Sequence, residues 1–336
     1  MNETVPKLSV AVNILLGGPY LRRVLDALAA QRAAPPIEVL VPFCPGIDDT
    51  GGEIATLRRD FPAVRFVEVA GLPPGATLAR PGPAHLIFDR RRAVGIAAAR
   101  GEIVALTDDQ MVPDPDWCEA MIRAHRAAYE AIGGAVENDG PGVAHRALHL
   151  CDFGRYQLPF DAGEAPWLTD QNIAYKRAAL EAIRPAWQAF YHEMAVHEAL
   201  RAAGGRLWLT PECVVRMDRG RLAWRRQIQE RFEWGRFYAG QLAWRVSRAR
   251  RIVLAVAWPA IPALIVWRRV REALRKGCPA AALCAALPAM AAMALVWSCG
   301  EAVGYFTARP VAGLTEERMN RARAQTRLSS ASGAAG

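Results

Sequence analysis

The residues best suited to chemistry in this chain are three consecutive side chains, Asp108, Asp109 and Gln110, which follow the apolar run EIVAL at 102–106 and Thr107. Carboxylates at the open end of a strand can hold Mg²⁺ or Mn²⁺ against phosphate oxygens. Gln110 would add a carbonyl oxygen without charge, which weakens such a site. The bland alternative for two aspartates after a strand is a turn or a helix N-cap. The stretch from Glu193 reads as a helix that ends at Gly204-Gly205, and an acid in its first turn is favoured by the helix dipole alone.

Other chemistries find little support. The seven cysteines include no CxxC pair and no histidine-paired spacing, which reads as reduced, mostly buried thiols without a zinc site. No GxGxxG follows the first apolar run and there is no GxxxxGK[ST], which argues against a dinucleotide cofactor or a P-loop.

Positioning these side chains requires a sheet. The runs at 8–16, 37–41, 64–69 and 102–106 read as short apolar strands. Helical spacing at 20–31 and 91–100 separates them, and 131–136 reads as a fifth strand. Alternation of this kind predicts a parallel α/β sheet covered on both faces, with ligands beyond the carboxyl ends of the strands. Residues 137–190, rich in Gly, Pro and aromatics, read as irregular loops; 206–209 and 213–216 read as short closing strands.

The net charge of +9 is concentrated between Arg216 and Lys276, and the remainder is slightly acidic. The basic block flanks the uncharged stretch 252–267, which favours lipid headgroups over nucleic acid, for which aromatic–basic interleaving is missing elsewhere. Pro279–Cys299 is uncharged and long enough to cross a hydrocarbon core of about 30 Å. The stretch 252–267, with Pro259 and Pro262, is short for a crossing and suits a re-entrant or interfacial element. The start of the sequence shows no signal peptide. These features divide the chain into 1–240, a membrane-associated region 241–310, and a polar tail 311–336.

The stretch RAVGIAAARGEIVALTDDQMVPDPDW at 92–117 resembles the family-2 glycosyltransferases. In that family A-x-G-E leads into a strand that closes on an acidic cluster and P-x-x-W, and the order of elements over residues 8–240 agrees. The resemblance implies a GT-A fold, a nucleotide-sugar donor and an inverting, Mg²⁺- or Mn²⁺-assisted transfer. Asp108, Asp109 and Gln110 would be the metal and donor positions, Gln110 replacing the usual last acid. Glu193 would be the general base with His192 beside it. Asn172, in WLTDQNIAYKR, would lie beside the donor sugar, with a structural Asn as the alternative; the family's Gly is here Asp170 or Gln171. The second strand lacks the family's acidic pair, so Asn13, Asp48 and Arg91 are the expected donor contacts. Gln227 and Arg231 are one residue too far apart for the processive Q-x-x-R-W signature, which implies single-sugar addition. The anchor implies a lipid-linked or polysaccharide acceptor at a bacterial inner membrane, with the catalytic part in the cytosol. The competing expectation is a non-catalytic, membrane-tethered sugar-nucleotide binder.

Overall fold

The computed structural model describes residues 5–308, apart from 33, 50, 73–75, 80, 244 and 245. The predicted tail 311–336 lies outside the described residues. The chain forms two compact units. One, the sheet unit, comprises Met1–Leu72, Ile87–Leu222 and Glu272–Ala282; the other, the helical unit, comprises Pro73–Leu86, Ala223–Arg271 and Leu283–Gly336.

The sheet unit begins β1 (Leu8–Asn13), α1 (Gly18–Ala29), β2 (Ile37–Phe43), α2 (Pro45–Asp48), α3 (Glu53–Asp60) and β3 (Val64–Glu68). Helix α4 (Pro81–Ala98), which belongs to this unit from Ile87 on, β4 (Ile103–Asp108), β5 (Met111–Pro113), α5 (Trp117–Ala124) and β6 (Ala131–Asn138) follow. Then come α6 (Gly142–Asp152), β7 (Gly163–Glu164), β8 (Asn172–Lys176), α7 (Arg177–Ala182), α8 (Glu193–Ala202) and β9 (Leu207–Met217). The strands join in one sheet in the order β3-β2-β1-β4-β8-β6-β9-β5, with β7 on β9.

The expected parallel sheet is therefore corrected to a mixed one. The first four strands in this order are mutually parallel, whereas β8 runs antiparallel between β4 and β6, and β5 antiparallel to β9. The alternation that predicts βαβ units ends at β4, and beyond it strands pair without an intervening crossover helix of the same kind. Both faces are covered. Leu8, Val10 and Val12 pack with Leu21, Val24 and Leu25 of α1 on one side. Ala11, Val104 and Leu106 pack with Ala93 and Ile96 of α4 on the other. Each fully buried aliphatic side chain contributes about 1.5–3 kcal/mol.

Three further expectations are corrected. The predicted helix 91–100 is the C-terminal half of α4, which starts ten residues earlier at Pro81. The stretch 137–190 contains α6, β8 and α7 rather than only loops. The two closing strands are one, β9, whose pairing with β6 shifts register between Gly133 and Ala135. Residues 272–282 belong to the sheet unit through Lys276, whose Nζ donates to the carbonyls of Gly154, Arg155 and Gln157.

The helical unit contains α9 (Trp224–Leu242), α10 (Arg248–Val256), most of α11 (Ile261–Arg275) and most of α12 (Ala280–Thr307). Glycines set the contact between α9 and α12. A Cβ on Gly300 would lie 2.1 Å from the Phe232 carbonyl, and one on Gly304 2.4 Å from that of Arg236. Among the described residues, α12 alone is a single helix long and apolar enough to cross a membrane. Helices α10 and α11 pass the same test only together, and they are bent by 74° at their junction.

Candidate functional site

The parallel register sets Asn13 opposite Asp108, so β1 and β4 end side by side. Where the ladder stops, the Asp109 N–H donates to the Asn13 carbonyl at 3.0 Å. The chain leaving β1 then wraps around the Asp109 carboxylate. Its Oδ2 accepts from the backbone N–H of Leu15, Leu16 and Gly17 at 3.1, 2.9 and 2.6 Å. Gly17 sits at φ 70°, in the left-handed region that glycine enters without a Cβ clash. Oδ1 of Asp109 is buried without a hydrogen-bond partner. Burial pushes Asp109 up to about 6, against the pull of those N–H groups and Arg91.

Two arginines of α4 organise the rest. Arg91 is fully buried, donating to the Ile14 carbonyl and to both oxygens of Asp48. Asp48 in turn accepts from the Cys44 N–H at 2.7 Å. Arg92 bridges two acids: Nη2 donates to Asp108 at 3.0 and 3.2 Å, while Nη1 lies 3.0 Å from Asp170, and Asp89 stands 3.9 Å away. Burial opposes the charge on this guanidinium, but Asp108, Asp170 and Asp89 outweigh it. Burial, reinforced by Asp170 and Asp109, pushes Asp108 up to about 7 even though Arg92 and Asn13 pull it back.

The candidate pair His192-Glu193 follows a segment tied to α4. The Tyr191 N–H donates to the Asp89 carbonyl at 3.0 Å, and Arg90 donates to the Ala189 carbonyl at 3.1 Å. His192 then caps α8 through its backbone carbonyl, and Glu193 is the first residue of that helix, with its side chain 24% exposed. Behind it the Tyr175 hydroxyl meets the Tyr191 hydroxyl at 2.6 Å and His197 Nε2 at 3.1 Å. Burial raises both phenols well above their ordinary range, and the charges of Asp170 and Glu193 both reach them. The neighbourhood of Arg92 and that of Glu193 are thus electrostatically continuous.

The structure brings Asn13, Asp48, Arg91, Asp108 and Asp109 together, and His192 and Glu193 directly follow Tyr191, which is tied to α4 through the Asp89 carbonyl. Their roles differ from expectation in three places. Asp48 and Arg91 are spent on one another inside the unit rather than open to a ligand. Asn172 is fully committed: Oδ1 accepts from the Trp117 indole at 2.9 Å, and Nδ2 donates to the Ala135 and Cys213 carbonyls at 2.8 and 2.9 Å. It ties β6, β8, β9 and α5 together, and with both amide donors used and the side chain fully buried it is withdrawn from any sugar. Gln110 stands in the turn between β4 and β5, where its backbone carbonyl accepts from the Asp218 N–H at 2.9 Å.

A divalent cation fits these side chains poorly. Both Asp108 oxygens serve Arg92, one Asp109 oxygen serves the Leu15–Gly17 turn, and Gln110 adds no charge. Among the described residues no group of three or more His, Cys, Asp or Glu is arranged to hold a metal. Sequence reasoning missed Arg92, Asp89 and Asp170. The signal for them was the charged run Asp89-Arg90-Arg91-Arg92 inside an otherwise apolar helix.

Comparison with known proteins finds no matching family model and no matching curated protein. The functional reading therefore rests on this geometry and its chemistry.

Proposed function

We propose that the protein transfers a sugar from a nucleotide-sugar donor to a membrane-associated acceptor, as a family-2 glycosyltransferase of GT-A fold would. The observation that carries this reading is the meeting of Asn13, Asp108 and Asp109 at the carboxyl ends of two adjacent parallel strands. Open α/β sheets bind nucleotides at that edge. Glu193 takes the proton of the acceptor hydroxyl as its oxygen attacks the anomeric carbon and the bond to the diphosphate breaks. Arg92 holds Asp108 and Asp170 in place at that edge. Because the side chains present fit a Mg²⁺ or Mn²⁺ ion poorly, no step is assigned to one. The apolar helix α12 and the basic residues around it suit an acceptor at a bilayer, a lipid-linked or polysaccharide precursor at the bacterial inner membrane.

The runner-up is a membrane-tethered sugar-nucleotide binder without catalysis, favoured by the internal commitment of Asp48, Arg91 and Asp109. Calorimetry with UDP-, GDP- and TDP-sugars, followed by transfer assays on the same protein with and without Mn²⁺, separates the two. Binding with turnover supports the transferase, and binding without turnover the tethered binder. Binding of no donor sinks both.

A further inference from the structure

The helical unit carries a surface that the chemistry of the sheet unit does not use. Helix α10 is basic at its start, with Arg248, Arg250 and Arg251, and apolar at its end. Helix α11 has the reverse polarity: apolar from Ile261 to Trp267, then Arg268, Arg269 and Arg271. The 74° bend sets the two apolar stretches at the apex of a wedge and the arginines at its two outer ends. Apolar side chains on the wedge face solvent, with Ile252, Val253 and Val256 62%, 63% and 71% exposed and Trp267 55%.

The long helix α12 does not continue this surface as a free span. From Ser298 to Tyr305 its buried side, including the carboxylate of Glu301, belongs to the contact with α9. Helix α9 carries Arg225, Arg226, Glu230, Arg231, Glu233 and Arg236, charges that hydrocarbon does not accept. The part of α12 before Trp297 is about 25 Å long at 1.5 Å per residue, short of a core about 30 Å thick. At the other end of α12, Arg251 donates to the Tyr305 and Phe306 carbonyls, so the basic start of α10 lies at the C-terminal end of α12.

We propose that the helical unit is monotopic: it binds one leaflet of an anionic phospholipid bilayer from one side, inserting the apex of the α10–α11 wedge while Arg248, Arg250, Arg268 and Arg271 meet the headgroup phosphates. The wedge matches such a leaflet in depth order, with apolar groups innermost, Trp267 next and guanidinium groups outermost. This assignment is independent of the reaction proposed for the sheet unit.

Two measurements on the full chain test it. Protease-cleavable tags are placed before Met1, after Gly277 and after Gly336, and cleavage is compared in spheroplasts and inverted membrane vesicles. All three tags should be cut from the same side. Shielding of the Gly277 tag alone would mean a two-span hairpin, and shielding of the last tag alone a single crossing; either result overturns the proposal. The purified protein is then floated with vesicles of phosphatidylcholine, with or without 30 mol% phosphatidylglycerol. Binding should favour the anionic vesicles and fall about 5-fold for each of Arg250→Gln and Arg271→Gln. Val256→Asp should weaken binding to both compositions. Equal binding to both vesicles, unmoved by the arginine variants, would overturn the anionic-lipid assignment.

Discussion

The strands of the sheet unit bury charge at both ends, and the two ends treat it oppositely. At the amino end Glu38 of β2 accepts from the Ser9 hydroxyl, the Arg100 backbone and side chain, and Arg65. Burial pushes this acid up, but those donors outweigh it and leave it below its ordinary range. At the carboxyl end Asp108 and Asp170 share Arg92, and Asp109 takes three backbone N–H groups on one oxygen while the other has no partner. At the first end the donors outweigh burial, whereas at the second burial outweighs the donors. Perturbed acids of this kind at the carboxyl ends of the strands are what the proposed function rests on.

The comparison can be broken experimentally. The largest effect belongs to the carboxyl end: Glu193→Gln should lower transfer about 10²–10⁴-fold while donor affinity measured by calorimetry stays unchanged. Undiminished transfer would remove Glu193 as the base. Next, Asn172→Ala should cost about 3 kcal/mol in urea unfolding, because it strands the Trp117 N–H and the Ala135 and Cys213 carbonyls, yet leave donor affinity intact. A selective loss of donor binding in a stable Asn172→Ala protein would restore the sugar-contact role.

Glu38→Gln against Asp108→Asn tests the contrast directly. The first should lose about 2 kcal/mol of stability at pH 8 and keep donor binding, since charge-assisted bonds are removed. The second should lose donor binding with a smaller stability cost at pH 8, because removing one of several crowded acids relieves repulsion. A larger stability loss for Asp108→Asn would end the contrast. The smallest effect is a pH dependence. Burial, and then Lys176, lowers His125 to about 3, so it stays neutral when folded but takes a proton near its ordinary value when unfolded. Its contribution is present above pH 6.5 and is lost as pH falls. Between pH 7 and 5.5 the wild type should lose about 1 kcal/mol relative to His125→Leu in paired unfolding curves. Parallel curves would show that His125 is not held neutral.

The first half of the sheet was legible because its strands are continuous apolar runs and α1 keeps strict helical spacing at Leu21, Val24, Leu25 and Leu28. The second half was not. β8 is five residues of unremarkable composition, fixed by pairing with β4 and β6 rather than by its own pattern, and α6 opens on Gly142 without a side-chain cap. The strand-end acids were legible as a location. What they bind within the unit was not, because the partners Arg92 and Asp170 meet only when α4 and the turn before β8 converge.

The glycine seam between α9 and α12 has a practical reach. A fragment ending near Gly240 would keep α9 but lose the helix that fills its backbone-wide groove. Such a fragment would offer a half-zipper, with Ala239 newly wetted, and would self-associate or resist expression. Anyone trimming the chain for crystals should keep the two helices as a pair, or discard both.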